Sequence, residues 1–259
     1  MDRQRWTIDV PAPSALGPWP LLVEVAHILP PASWTLIGGM MVQLHALRAG
    51  IPAPRATADI DALIHIETGT TYRGAAQLLR DAGFDETRAL HREAAQHRFA
   101  RGTDLVDVLV ADHAAPTVLR ARAVPAAVLA PGGTRALRNT VDGTVSVGGQ
   151  TVGLSLPDEF GALVLKANAY VADSRDRHRH LEDLRTLLEA QVDPPQVVDR
   201  CNQASTATRA MVSAALHAIR ARGTSGLPPA TRYALDVFEL GLTGEADRAR
   251  SRRRHAGPG

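Results

Sequence analysis

Cysteine and lysine are almost missing from this chain. Its 259 residues hold one cysteine, Cys201, and one lysine, Lys166. A single thiol makes no internal disulfide and no cysteine-rich zinc site, so a reducing, cytoplasmic setting is expected. Long apolar runs are also missing. None approaches the roughly 20 residues that cross a bilayer. The opening segment, MDRQRWTIDV, has no apolar core of the kind that marks a secretory signal. There is no Gly-x-Ser-x-Gly elbow and no Walker loop. A strong charge of either sign is lacking too, since 29 basic side chains face 27 acidic ones for a net +2.

What is present is a globular composition, 45% hydrophobic and 22% charged, which excludes a disordered chain. The length suffices for a real core, as one large domain or two modest ones. Arginine supplies every basic residue but Lys166, a pattern consistent with high-GC codon bias. A position that keeps lysine against that bias either needs a compact ammonium in place of a planar fork or is a chance survivor.

Pattern and punctuation divide the chain. Pro11, Pro13, Pro18 and Pro20 make the first twenty residues read as an irregular lead-in. A short helix over 21–29 stops at Pro30-Pro31. A strand over 34–37 runs into Gly38-Gly39, and helical spacing over 40–48 ends at Gly50. A strand is predicted over 60–66 and a helix over 70–82. Segments 97–100 and 105–110, joined through Arg101-Gly102, read as a hairpin, and 141–156 has a β pattern broken by Gly148-Gly149. From Asp158 to about Gly241 the pattern is helical. The expectation is an α/β core over 1–156, a helical domain over 157–245 and a basic tail over 246–259 without fixed structure.

The stretch that carries chemistry is Ile37-Gly38-Gly39-Met40 followed by Arg55-Ala56-Thr57-Ala58-Asp59-Ile60-Asp61. Strand residues two apart share a face, so Asp59 and Asp61 aim both carboxylates one way. They repel unless a cation sits between them, and a hard divalent ion such as Mg²⁺ suits oxygen ligands. Without side chains, Gly38 and Gly39 let a phosphate approach the backbone N–H groups at a helix start. Asp107, inside Leu105-Val106-Asp107-Val108-Leu109, is a charge in an apolar strand and needs a partner. If its strand pairs beside that of Asp59 and Asp61, the three make one metal cage. Otherwise Asp107 is a core carboxylate paired with an arginine.

Gly-Gly after a strand, a helix, then Arg-x-Thr-x-Asp-Ile-Asp resembles the polymerase-β-like nucleotidyltransferase superfamily, and most of all the AbiEii-type toxins of type IV toxin–antitoxin systems. The resemblance covers roughly Trp34 to Leu188. It implies an α+β fold with a nucleotidyltransferase-like mixed sheet, flanking helices and a C-terminal helical bundle. It implies that Gly38 and Gly39 hold the triphosphate of an NTP, with Thr57 beside them. Asp59, Asp61 and Asp107 would be the catalytic, Mg²⁺-binding carboxylates, with two ions. Lys166 and Asp183, in Leu165-Lys166-Ala167 and Asp183-Leu184, would complete the nucleotide site. The implied partners are an acceptor such as tRNA or other RNA and an antitoxin protein, with no membrane. Two features depart from the family pattern. Gly-Gly replaces the common Gly-Ser, and Arg179-His180 replaces a Lys-Asp pair.

Rival readings stay open. The acceptor could be a small hydroxylated molecule of the aminoglycoside kind, or the chain could bind a nucleotide without catalysis. Thr57 could serve only its turn, Arg55 could pair structurally with an acid, and Lys166 could snorkel from a helix. His178-Arg179-His180 reads as a solvated helix face, because residues two apart do not share a face. His97 reads as structural or as the edge of the site, and Cys201 as a core thiol.

Overall fold

The glycines, prolines and alternating apolar residues that punctuate the sequence become the boundaries of the elements. A computed structural model describes residues 3–11, 17–52, 55–87, 97–123 and 127–255, with the backbone alone over 243–255. The α/β half contains β1 (Arg5–Val10), α1 (Trp19–Ile28), β2 (Trp34–Ile37), α2 (Gly38–Ala49), β3 (Asp59–Ile64) and α3 (Tyr72–Asp81). It continues with β4 (Asp85–Glu86), β5 (Arg98–Arg101), β6 (Asp104–Ala111), α4 (Pro116–Arg122), β7 (Leu129–Ala130), α5 (Gly133–Leu137), β8 (Thr140–Val147) and β9 (Gln150–Pro157). The helical half is α6 (Glu159–Ala172), α7 (Arg177–Glu189), α8 (Pro194–Gln203), α9 (Thr206–Ala221) and α10 (Pro229–His255).

The larger sheet is mixed, in the order β2-β3-β6-β5-β4, with β7 beside the end of β6. β3 and β6 run parallel, while β2 and β5 pair antiparallel with them. Alternation along its two central strands sets the architecture. Ile60, Ala62, Ile64, Val106, Val108 and Val110 share the main core with α1, α3 and the smaller sheet. The opposite face carries Asp59 and Asp61 and then Leu63 on β3, and Asp107, Leu109 and Ala111 on β6. Its apolar end packs against Ala162, Leu165 and Leu187 of α6 and α7. Its acidic end is left open. One period-2 pattern thus supplies a core on one side and a site on the other.

Where the sequence predicts an irregular lead-in, the first twenty residues hold a strand and the start of α1, and residues 12–16 lie outside the described residues. β1 adds in parallel to β8, giving a smaller sheet ordered β1-β8-β9. Its alternation, with Trp6 and Ile8 buried between exposed neighbours, is short, and its partner lies more than a hundred residues away. The two sheets meet where Thr35 and Ser155 share a buried hydroxyl–hydroxyl hydrogen bond of 2.8 Å. α2 is buried on nearly every side. Met40 and Leu44 enter the main core, while Met41 and Val42 pack toward the helical half.

Asp158 caps α6 by accepting the N–H of Gly161 at 2.9 Å, a contact worth about 1 kcal/mol. The five helices close over a second core that includes Leu184, Leu188, Val212, Ile219 and Phe238. α10 continues to His255, through arginines that the sequence reading gave to the tail. Ala and Arg are good helix formers, which favours a helical backbone through this stretch. Residues 256–259 lie outside the described residues. No helix among the described residues is long and apolar enough to cross a membrane.

Candidate functional site

Strand register brings the acidic residues together. Ile37 pairs with Asp61, Asp61 with Asp107 and Asp107 with Arg98, a single row across β2, β3, β6 and β5. The chain leaves β2 at Ile37 and turns at once into α2, so Gly38 stands over Asp61. Gly38 has φ +71°, and a Cβ there would lie 1.7 Å from Asp61 Oδ2. Only glycine fits both the backbone and the contact. A Cβ at Gly39 would lie 2.7 Å from Thr57 Oγ1. The Thr57 hydroxyl therefore takes the room that a serine at 39 would need, and it donates to Asp59 Oδ1 at 3.0 Å. Ile37 provides no side-chain cap for α2, so the first-turn N–H groups and the positive helix end remain available to an anion.

These residues line a cavity of about 360 Å³ between the sheet and α6 and α7. Gly38, Gly39, Thr57, Asp59, Asp61, Asp107 and Lys166 all reach it. Asp183 lies beneath it, fully buried. Asp183 accepts from Lys166 Nζ at 2.7 Å and from Arg55 Nε and Nη2 at 3.1 and 3.2 Å. Burial raises its pKa, but the ammonium and the guanidinium outweigh that and hold it below the usual value. The lysine thus reaches the site through α6, while Arg55 ties the loop before β3 to α7. The position of Lys166, only 6% exposed, excludes a lysine that snorkels to water.

Arg98 is the chief resident that sequence reasoning did not single out. Its Nε and Nη2 donate to the two oxygens of Asp107 at 2.8 and 2.7 Å, and Nη2 also reaches Asp59 Oδ2 at 3.1 Å. The sequence signal was a basic residue four places before the hairpin glycine, Gly102, which becomes meaningful only in the register. α7 contributes two more. Arg179 and His180 line the cavity, and His180 is buried with Nδ1 unpartnered. Burial and the Lys166 charge keep its imidazole below its ordinary pKa. The expected solvated face is therefore corrected at His180, because α7 turns that residue inward toward α6. His97 lies at the cavity edge. Cys201 is a buried core thiol, its pKa pushed up to about 12 by burial.

Asp61 is the carboxylate without a partner. Among the described residues no hydrogen bond or ion pair involves it. Burial first, then the charges of Asp59 and Asp107, push its pKa up to about 7, against the opposing pull of Lys166 and Arg179. Asp59 and Asp61 point two carboxylates the same way, and neither hydrogen bond nor ion pair among the described residues occupies Asp61, so this pair fits a divalent cation. Asp107 fits less well, since Arg98 engages both its oxygens. Among the described residues, no group of three or more His, Cys, Asp or Glu side chains is close enough to hold an ion. The rest of the lining separates by character. Arg55, Arg98, Lys166 and Arg179 give positive charge, while Leu109, Leu129, Pro131, Leu165 and Ala169 give an apolar wall. Such a cleft suits a ligand with an anionic end and a flat apolar end.

No family model matches the chain, and no curated protein matches it. Among solved structures, it is similar to an antigenic nucleotidyltransferase-like protein from Paracoccidioides brasiliensis, with a TM-score of 0.50 and 17% identity. The match covers 84% of this chain and 91% of that one. That likeness shows the fold: the chain has the α+β architecture of a nucleotidyltransferase-like protein.

Proposed function

We propose that the chain is a metal-dependent nucleotidyltransferase that moves a nucleoside monophosphate from an NTP to an acceptor hydroxyl. The observation that carries this reading is the row of Asp61, Asp107 and Arg98 across adjacent strands, directly below the Gly38-Gly39 start of α2. The backbone N–H groups of that turn, with Lys166 and Arg179, bind the triphosphate oxygens. The apolar wall takes the base. Asp59 and Asp61 would hold Mg²⁺, which supplies charge neutralisation for the leaving pyrophosphate and eases ionisation of the acceptor. Asp61 gives up its proton when positive charge arrives, because its ionised form is then the favoured one. Lys166, fixed by Asp183, presents a compact charge where negative charge grows on the leaving group. Asp107 faces the acceptor side. The acceptor we favour is RNA, such as a tRNA 3′ end, in the manner of an AbiEii-like toxin held in check by an antitoxin. The exposed basic residues Arg175 and Arg177, close in the chain to the cleft residue Arg179, suit a polyanion.

Incubation with each labelled NTP, Mg²⁺ and total RNA tests this. Transfer of label to RNA that is lost in Asp61→Asn supports the reading. Transfer that survives Asp61→Asn, or a total lack of transfer with every NTP and both RNA and aminoglycoside acceptors, overturns it.

A further inference from the structure

We infer that this site takes a single divalent ion, and that the Arg98 guanidinium serves as its second cation. The inference rests on the metal–nucleotide reading above and deepens it. Three carboxylates on one open sheet face would ordinarily supply ligands for a pair of ions. Here the oxygens are already divided. Arg98 Nε and Nη2 engage Asp107 at 2.8 and 2.7 Å, and Nη2 holds Asp59 Oδ2 at 3.1 Å. One planar fork therefore holds Asp107 through two parallel bonds, the geometry in which arginine holds a carboxylate best, and reaches Asp59 with a third contact. What stays open to a metal is Asp61, which makes no hydrogen bond or ion pair among the described residues, and Asp59 Oδ1, which accepts from the Thr57 hydroxyl at 3.0 Å.

The fork is built into the sheet. Arg98 pairs directly with Asp107 across β5 and β6, and Asp107 is only 6% exposed. A buried carboxylate that lost this partner would be left uncompensated. Displacing Arg98 with a second ion thus means breaking a charge-assisted pair to a buried carboxylate. Arg98 also borders the cavity, so its outer edge can meet a substrate oxygen while its inner edge holds Asp107. It is a positioning residue that fixes Asp107 and sets how many ions the site accepts.

The test counts ions on the full-length chain, using Mn²⁺ alone and Mn²⁺ with one equivalent of α,β-methylene ATP. Electron paramagnetic resonance reads both the number bound and any spin coupling between close ions. We expect one uncoupled Mn²⁺ per chain in both conditions, lost in Asp61→Asn and retained in Asp107→Asn, a change that keeps shape. Arg98→Met should admit a second ion, coupled to the first. Arg98→Lys, which keeps the charge but not the fork, should stay at one. A spin-coupled pair in the wild-type chain, or loss of the ion in Asp107→Asn, overturns the inference while leaving the nucleotidyltransferase reading intact. Absence of any bound Mn²⁺ in either condition overturns both. Thermal unfolding of each variant separates a change in ion count from a failure to fold.

Discussion

Asp61 is held in the fold at odds with its own charge. Its pKa rises from 3.8 to about 7, by burial first and then by the neighbouring carboxylates. The folded chain therefore keeps a proton that the unfolded chain gives up between about pH 4 and 7, and stability falls as pH rises through that window. Asp61→Asn removes the conflict. We expect this variant to be more stable than the wild type at pH 8, on the order of 1–2 kcal/mol after allowing for water in the open cleft. The difference should vanish near pH 3, below both pKa values, where both states of the wild type are protonated. Mg²⁺ should raise the melting temperature of the wild type at pH 8 and leave Asp61→Asn unmoved. Calorimetry at the two pH values checks all three statements. A variant less stable than the wild type at pH 8 would show that Asp61 is satisfied after all. Thr57 and Arg98 act at the same scale, since each spends its donors on the carboxylates beside Asp61 and none on Asp61 itself.

Among the elements, β1 and α2 form the least obvious partnership. Trp6 of β1 lies edge-on to the His45 ring at 5.1 Å between centroids, and the Arg48 guanidinium covers the indole at 4.1 Å. His45 Nε2 stands 3.0 Å from the Pro157 carbonyl. Burial, the largest influence, lowers its pKa to about 4, so the imidazole is neutral in the fold. As pH falls from about 6.5 to 4 the unfolded state binds the proton first, and stability is lost across that window. Trp6→Ala should cost roughly 3–5 kcal/mol through lost packing. By letting water reach His45, it should also bring the imidazole pKa back toward 6.5. Denaturant unfolding measures the first effect, and NMR titration of the ring measures the second. The strand thereby steadies the far end of the helix whose first turn faces the cleft.

Across the whole molecule, the two halves meet beside the cleft through the apolar packing of Leu63 and Ala111 with Ala162, Leu165 and Leu187, and through one buried carboxylate. Asp183 on α7 holds Lys166 on α6 and Arg55 before β3. Asp183→Ala leaves two cations without their partner, and the expected loss is about 3–5 kcal/mol. A second change, Lys166→Met, should recover part of that loss, because it removes one of the uncompensated charges. Equilibrium unfolding of the single and double variants measures the recovery. Additive losses would show that Lys166 and Asp183 do not act as a pair.

Much of this was already written locally in the chain. The strand at 34–37, the Gly38-Gly39 turn, the alternation that gives Asp59 and Asp61 one face, the 97–110 hairpin and the Asp158 cap all depend on neighbours within a few residues. Propensity and period are local properties, so they survive in one dimension. The role of Lys166 was legible only as an oddity of composition and through family resemblance. Other features needed the third dimension. β1 pairs with a strand more than a hundred residues away, and its short alternation means little until β8 lies beside it. Arg98 is one of 28 arginines, and only the β5–β6 register selects it. His180 looked solvated because a helix has no inside until another helix covers one side of it. The carboxylates came from local pattern. Which of them is paired, and which is left wanting a cation, was decided by the packing of strands and helices distant in sequence, because charge at these distances depends on what stands next to it in space.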